Sequence, residues 1–118
     1  MRIISDDELI GMIRLGSEEA FTMLYNKYES FIRSWAFKSL KTQKAKQIEL
    51  ADMIQVGDIE FLQVLKKYRS EEGAFYSFLK LCVERELFLH IKTFFANIIK
   101  DYRDFSLDQP IFEEGNYT

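Results

Sequence analysis

The segment Asp52-Met53-Ile54-Gln55-Val56-Gly57-Asp58-Ile59-Glu60-Phe61-Leu62 decides the fold, because its apolar residues have α-helical spacing on two separate faces. One face predicts a helix from about Leu50 to Tyr68 that packs into a core, with Gly57 marking the close approach of another helix. The second face, which we call the acidic–aliphatic stripe, predicts a protein interface; burial under the first helix or the C-terminal tail is an equal alternative. The core face contains Leu50, Ile54, Gly57, Phe61, Val64, Leu65 and Tyr68, and the acidic–aliphatic stripe contains Asp52, Gln55, Ile59 and Leu62.

Two further helices are expected before this segment. Ser5-Asp6-Asp7-Glu8 is a capping box that starts the first helix, and Gly16 can end it in a left-handed conformation. Ser17-Glu18-Glu19 then starts a second helix, which we expect to end near Leu40. Its apolar residues recur every three or four positions, as a core-facing helix requires. They are Phe21, Leu24, Tyr28, Phe31, Ile32 and Trp35.

A turn at 69–73 precedes a fourth helix that begins near Ala74. Its apolar face changes along the chain, which predicts a kinked helix or two helices that meet. Periodicity fades after Phe105, so the segment 106–110 is interpreted as a cap or turn, and 113–118 as a mobile tail. The first apolar face has Phe75, Phe78, Leu79 and Cys82, and the second has Leu87, Ile91, Phe94 and Ile98.

Length and composition place these helices in one domain. The chain has 118 residues, 47% of them hydrophobic, with one Pro and five Gly, which favours long helices around one core. The fold class is therefore predicted to be all-α, a compact three- to four-helix bundle. The single Cys82 fits a protein of a reducing cytoplasm. The sequence contains no apolar run of about 18 residues, so we expect no membrane span. The expected core is Phe21, Leu24, Phe31, Trp35, Ile54, Phe61, Leu65, Phe75, Phe78 and Cys82.

Charge restricts nucleic-acid binding to a local site, because the net charge is −3. Leu81, Arg85, Phe88 and Lys92 share a face of the fourth helix, which we call the basic–aromatic face. Cations for phosphates beside a flat ring suit single-stranded nucleic acid, although a buried Phe88 between solvated cations is the simpler alternative. The basic segment with Lys38, Lys41, Lys44 and Lys46 is interpreted as a solvated loop, with a phosphate contact as the alternative.

Catalytic chemistry has little support in the sequence. The chain has one His and one Cys, no phosphate-binding loop and no Glu-x-x-His pair. Cys82 is interpreted as a small core residue, and His90 lacks a partner for a metal site. We therefore expect no enzymatic activity, no metal and no cofactor.

Several segments together form a pattern through their order and spacing. They are 6–10 with 16–21, Tyr25-Asn26-Lys27-Tyr28, Asp52-Met53-Ile54-Gln55-Val56-Gly57, 75–78 with 81–85, Ile91-Lys92-Thr93, and Ser106-Leu107-Asp108-Gln109-Pro110-Ile111-Phe112. In this order they resemble region two of a bacterial RNA polymerase sigma factor of the sigma-seventy family, closest to its stationary-phase and sporulation type. The resemblance covers about residues 6–112. Its most specific motif is Asp-Leu-Ile-Gln-Glu-Gly, which the segment 52–57 resembles, while 6–10 with 16–21 resemble the opening helices and 75–78 with 81–85 the melting region.

The resemblance implies functions for both surfaces. It implies that the acidic–aliphatic stripe, with Asp58 added to it, binds the clamp coiled coil of the largest subunit of core RNA polymerase. It implies that the basic–aromatic face, together with Tyr76, binds the single-stranded non-template strand of the promoter minus-ten element, where captured bases offset a flipping cost of a few kcal/mol. An anti-sigma factor is a further candidate partner. On this interpretation the chain is a cytoplasmic transcription initiation factor.

Departures from the family pattern leave an alternative open. Val56 stands where the motif has Glu, and Leu81 where primary sigma factors have an aromatic residue. Phe94-Phe95-Ala96-Asn97-Ile98-Ile99 replaces a cation-rich segment, which favours a sigma-like regulator that binds polymerase or another protein without recognising promoters. We expect the domain to span 1–112, residues 113–118 to begin a linker, and the domain that reads the minus-thirty-five element to be absent.

Overall fold

The computed structural model describes residues 3–107 and confirms the all-α bundle. Four helices and one short 3-10 turn make up the described chain, which contains no strand. The expected domain boundary at 112, the tail 113–118 and most of the signature at 106–112 lie outside the described residues. The elements are α1 (Asp6–Arg14), α2 (Glu18–Thr42), α3 (Leu50–Lys67), a 3-10 turn (Ser70–Glu72) and α4 (Phe75–Leu107).

The helix starts follow the predicted capping chemistry. Ser5 accepts a hydrogen bond from the Glu8 backbone N–H, and the Glu8 side chain accepts one from the Ser5 N–H, so the capping box is complete. Ser17 caps α2 by accepting from the Ala20 N–H. Gly16 has a φ of 99°, which confirms the left-handed residue between α1 and α2.

One core lies where α2, α3 and α4 meet, with α1 packed against α2. Gly57 confirms the predicted close approach: a Cβ built there would lie 2.6 Å from Cγ2 of Ile32 in α2 and 3.7 Å from Cγ1 of Val83 in α4. Six of the ten residues expected in the core are buried, and three more pack half-buried against it. The buried six are Leu24, Trp35, Phe61, Leu65, Phe75 and Cys82, and the other three are Phe21, Ile54 and Phe78.

Two core predictions are wrong. Phe31 is 38% exposed, because it lies at the edge of α2 and packs against the exposed Tyr76 at 5.2 Å between ring centroids. Leu50 is 37% exposed at the first residue of α3, where the helix has only begun to enter the bundle, and Met53 is fully buried instead. Beyond its first turn, the core face of α3 is the one predicted from the sequence, since Gly57, Phe61, Val64, Leu65 and Tyr68 are all buried.

The fourth helix is one continuous helix, so the prediction of two helices is wrong. Leu79, Val83, Leu87 and Ile91 are buried at a spacing of four residues. Each such step advances about 40° beyond a full turn, so the buried face winds around a single helix. Ser106 and Leu107 are helical, which also corrects the predicted cap or turn at these two positions.

The segment between α2 and α3 is largely as expected. Lys38 and Lys41 lie in α2, which ends at Thr42, two residues later than predicted, while Lys44 has a φ of 53°. All four lysines of this segment, including Lys46, are exposed. Within residues 3–107, no helix is both long enough and apolar enough to span a membrane.

Candidate functional site

The acidic–aliphatic stripe is exposed along α3. Asp52 and Gln55 face solvent, and Ile59 and Leu62 are 52% and 45% exposed. The stripe is therefore exposed, as a protein interface requires. Within the described residues 3–107, it is not buried under α1. Such large aliphatic side chains in water beside an acid and an amide form a surface that a partner can cover with a gain in free energy.

Asp58 differs from the rest of the stripe, because it is half-buried and already bonded. The Tyr25 hydroxyl of α2 donates a hydrogen bond of 2.9 Å to Asp58 Oδ1. Partial burial raises the pKa of Tyr25 to about 12, with a smaller contribution from this hydrogen bond to a carboxylate. Asp58 therefore has a fixed orientation at the edge of the stripe, whereas Asp52 is free to turn toward a partner.

The stripe borders a groove between α1 and α3 that sequence reasoning missed. Ile59 and Leu62 form one side of this groove, of about 560 Å³, and Ile13 and Phe21 form the other. Lys66 lies along its edge. The aliphatic part of the stripe therefore continues into a concave apolar surface, which the linear spacing of α3 could not reveal because part of it comes from α1 and α2.

Polar contacts hold α1 against the rest of this surface. Arg14 donates to the Leu65 and Tyr68 carbonyl oxygens at 2.9 and 2.6 Å, which satisfies the free carbonyls at the end of α3. Asp6 accepts from the Tyr28 hydroxyl and pairs with Lys27 Nζ at 2.7 Å. Burial and the bond to Asp6 raise the pKa of Tyr28. The position of α1, and with it one side of the groove, is thus fixed.

The basic–aromatic face is also exposed. Leu81 is 63% exposed and Phe88 is 44% exposed, so the alternative of a buried Phe88 is wrong. Lys92 Nζ lies 5.5 Å from the centre of the Phe88 ring, within cation–π range. Arg85 is exposed one turn before Phe88. Two cations beside a ring and an aliphatic side chain therefore share one accessible side of α4.

Tyr76 is not brought onto that face. Five residues separate it from Leu81, which places the two about 140° apart around the helix. Tyr76 instead packs against Phe31 and Trp35 of α2, with ring centroids 5.2 and 5.8 Å away, and remains 37% exposed. It belongs to an aromatic cluster between α2 and α4. Within residues 3–107, no group of three or more His, Cys, Asp or Glu side chains is arranged to hold a metal ion.

Glu60 is the polar residue whose burial the sequence did not predict. It is 8% exposed on the α4 side of the stripe, and its nearest cation is Lys67 Nζ at 3.6 Å. On a helical wheel Glu60 falls between the core face and the stripe, which is the one sequence signal that could have indicated partial burial.

Comparison with known proteins connects this geometry to a family. No family model matches the chain, and no solved structure matches it. The chain is 26% identical over 113 residues to the RNA polymerase sigma-H factor of Bacillus licheniformis, covering 94% of this chain and 49% of that protein. It is likewise 26% identical over 113 residues to the RNA polymerase sigma-H factor of Bacillus subtilis (strain 168), covering 94% of this chain and 50% of that protein. The chain spans about half the length of the curated relatives it matches. The similarity to these two sigma-H factors supports the resemblance, stated from the sequence, to the stationary-phase and sporulation type of the sigma-seventy family.

Proposed function

We propose that this chain is the part of a transcription initiation factor that binds core RNA polymerase through α3 and engages the promoter minus-ten element through α4. The observation that carries the proposal is the two-sided character of α3. One side supplies Phe61 and Val64 to the core, and the opposite side exposes Ile59 and Leu62 beside Asp52. The similarity to sigma-H factors supports transcription initiation as the process.

The polymerase partner is the clamp coiled coil of the largest subunit. A coiled coil offers an apolar ridge flanked by charged side chains. The acidic–aliphatic stripe is complementary to such a ridge, because its aliphatic residues run along the helix and Asp52 and Gln55 lie at the same exposed side. The function is one of binding: the domain positions polymerase on DNA, in the cytoplasm, and makes or breaks no covalent bond itself.

A pull-down with bacterial core RNA polymerase tests the proposal. The double variant Asp52→Ala, Gln55→Ala should lose binding while its circular dichroism and melting temperature stay unchanged, because both side chains are exposed. The matched control is Glu71→Ala, Gln47→Ala, which removes one exposed acid and one exposed amide outside the stripe and should bind as the wild type does. Equal retention of the first variant and the wild type would defeat the assignment of the stripe.

A second candidate function is a sigma-like regulator that binds polymerase or another protein without reading promoters. The observation that favours it lies at the end of α4, where Ile98 and Ile99 are 44% and 56% exposed in place of cations. An exposed apolar segment suits a protein partner better than a phosphate backbone. This candidate predicts binding to polymerase or to a helix of another protein, with no salt-sensitive affinity for DNA.

A further inference from the structure

A cleft between α3 and α4 opens beside the acidic–aliphatic stripe. It has a volume of about 340 Å³. Two carboxylates, Glu60 of α3 and Glu86 of α4, line it together with apolar side chains from both helices, namely Val56, Ile59 and Leu89. His90 also borders it. The cleft therefore combines apolar walls with two acidic groups.

Glu60 is the unusual member of this cleft. Its side chain is only 10% exposed, and it is the buried charged residue of the described chain. Within residues 3–107 no group donates a hydrogen bond to its carboxylate, and the ion pair with Lys67 spans 3.6 Å, longer than a charge-assisted hydrogen bond. A buried carboxylate is costly unless it is closely paired. Glu86 adds a second carboxylate to the same cleft, so the binding of a further cation there is electrostatically favourable.

We propose that this cleft receives an arginine side chain from the helical protein that covers the stripe. The apolar walls can enclose the aliphatic stem of an arginine, and its planar, forked guanidinium can donate several hydrogen bonds to carboxylates. Ile59 belongs to both the stripe and the cleft, so a partner on the stripe lies over the cleft mouth. The inference rests on the proposed polymerase-binding function and identifies an anchor within it.

Bio-layer interferometry with core RNA polymerase at several salt concentrations tests this arginine-binding cleft, because it measures binding affinity and dissociation rate. Glu60→Gln keeps the size of the side chain and removes its charge. We expect it to weaken binding at least about tenfold and to speed dissociation, because one partner of a desolvated charge pair is lost. Glu86→Gln should change both quantities in the same direction, and it decides the question if Glu60→Gln does not fold.

The variant Lys67→Met distinguishes two roles of Glu60, binding an arginine of the partner and forming a structural ion pair with Lys67. If Glu60 serves only to pair with Lys67, this variant weakens binding as much as Glu60→Gln does, which would overturn the proposal. We expect equal or tighter binding, because Lys67 competes for the carboxylate. If both Gln variants bind as the wild type does while Asp52→Ala, Gln55→Ala loses binding, the arginine-binding cleft is wrong and the proposed polymerase-binding function stands. A wild-type chain without affinity overturns the proposed function and the anchor with it.

Discussion

At the scale of single residues, Gly57 shows how one missing side chain sets the distance between helices. A Cβ at this position would lie 2.6 Å from Cγ2 of Ile32, a fully buried and β-branched residue with little rotamer freedom. We expect Gly57→Ala to destabilise the fold by about 1–2 kcal/mol, since overpacking outweighs a gain in helix propensity of about 1 kcal/mol. Urea unfolding followed by circular dichroism measures the difference.

The matched control for that substitution is Gly11→Ala. Gly11 lies within α1, and a Cβ there meets nothing within 4 Å. Helix propensity then acts alone, and stability should rise by about 0.5–1 kcal/mol. Two substitutions of identical chemistry should therefore have opposite signs, and a stabilising Gly57→Ala would contradict the close packing of α2 against α3.

Tyr25 gives the fold a dependence on alkaline pH. Its pKa is raised to about 12 in the folded state from an ordinary value of 10.0, first by burial and then by its hydrogen bond to Asp58. The folded state thus holds this proton more tightly than the unfolded state does. The resulting stability is fully present below pH 10 and is lost as pH rises toward 12.

Tyr25→Phe tests this dependence. At pH 7 the variant should be less stable by about 1 kcal/mol, the net value of one hydrogen bond. The difference from the wild type should shrink between pH 10 and 12, because the wild type alone loses the contribution of this hydroxyl. Denaturant unfolding at pH 7, 10 and 11.5 measures it, and a constant difference across these pH values would show that Tyr25 does not titrate as its contacts require.

At the scale of elements, α1 is a helix of nine residues that depends on its contacts with the bundle. So short a helix is marginal alone in water. Arg14 joins it to the end of α3 through the carbonyl oxygens of Leu65 and Tyr68. We expect Arg14→Lys to cost about 1 kcal/mol, because an ammonium cannot reproduce the forked donors. Hydrogen exchange should accelerate in α1 and in the last turn of α3, and unchanged exchange there would contradict this role.

The elements also show how far the sequence could be read. Capping residues predicted the starts of α1 and α2, and helical periodicity predicted the second face of α3, because both signals are local. The direction of burial near helix ends was not predictable, as Leu50 and Met53 show, since it depends on where neighbouring helices begin. Whether α4 is one helix or two was left open, because a winding buried face is indistinguishable from two faces until the packing partners are known.

The same limit applies to the candidate site. That Asp52, Gln55, Ile59 and Leu62 share a face away from the core could be predicted from α3 alone, whereas their exposure could not, because burial under α1 was an equal alternative. The groove beside them and the cleft at Glu60 could not be predicted, because part of the lining of each comes from other helices. Surfaces that one helix presents are therefore readable from sequence, whereas concave surfaces between helices require the fold.

At the scale of the whole molecule, the two candidate surfaces lie on different helices and share no residue. The acidic–aliphatic stripe lies on α3, and the basic–aromatic face lies on α4. A factor that joins polymerase to DNA needs such separate surfaces, because both partners must bind at once. Substitutions in one surface should therefore leave the other intact, in keeping with the independence of distant sites without shared contacts.

Fluorescence anisotropy with a single-stranded minus-ten oligonucleotide measures DNA binding by the basic–aromatic face. Arg85→Ala and Lys92→Ala should each weaken binding and reduce the slope of log K against log salt by about 0.7, the value for one phosphate contact with a single strand. Lys66→Ala removes an exposed lysine of α3 and should leave the slope unchanged. Asp52→Ala, Gln55→Ala should bind the oligonucleotide normally while failing to bind polymerase. A wild-type chain that binds polymerase but shows no salt-sensitive affinity for the oligonucleotide would instead support the regulator that binds protein alone, since contacts of Arg85 and Lys92 with phosphate would make the affinity depend on salt.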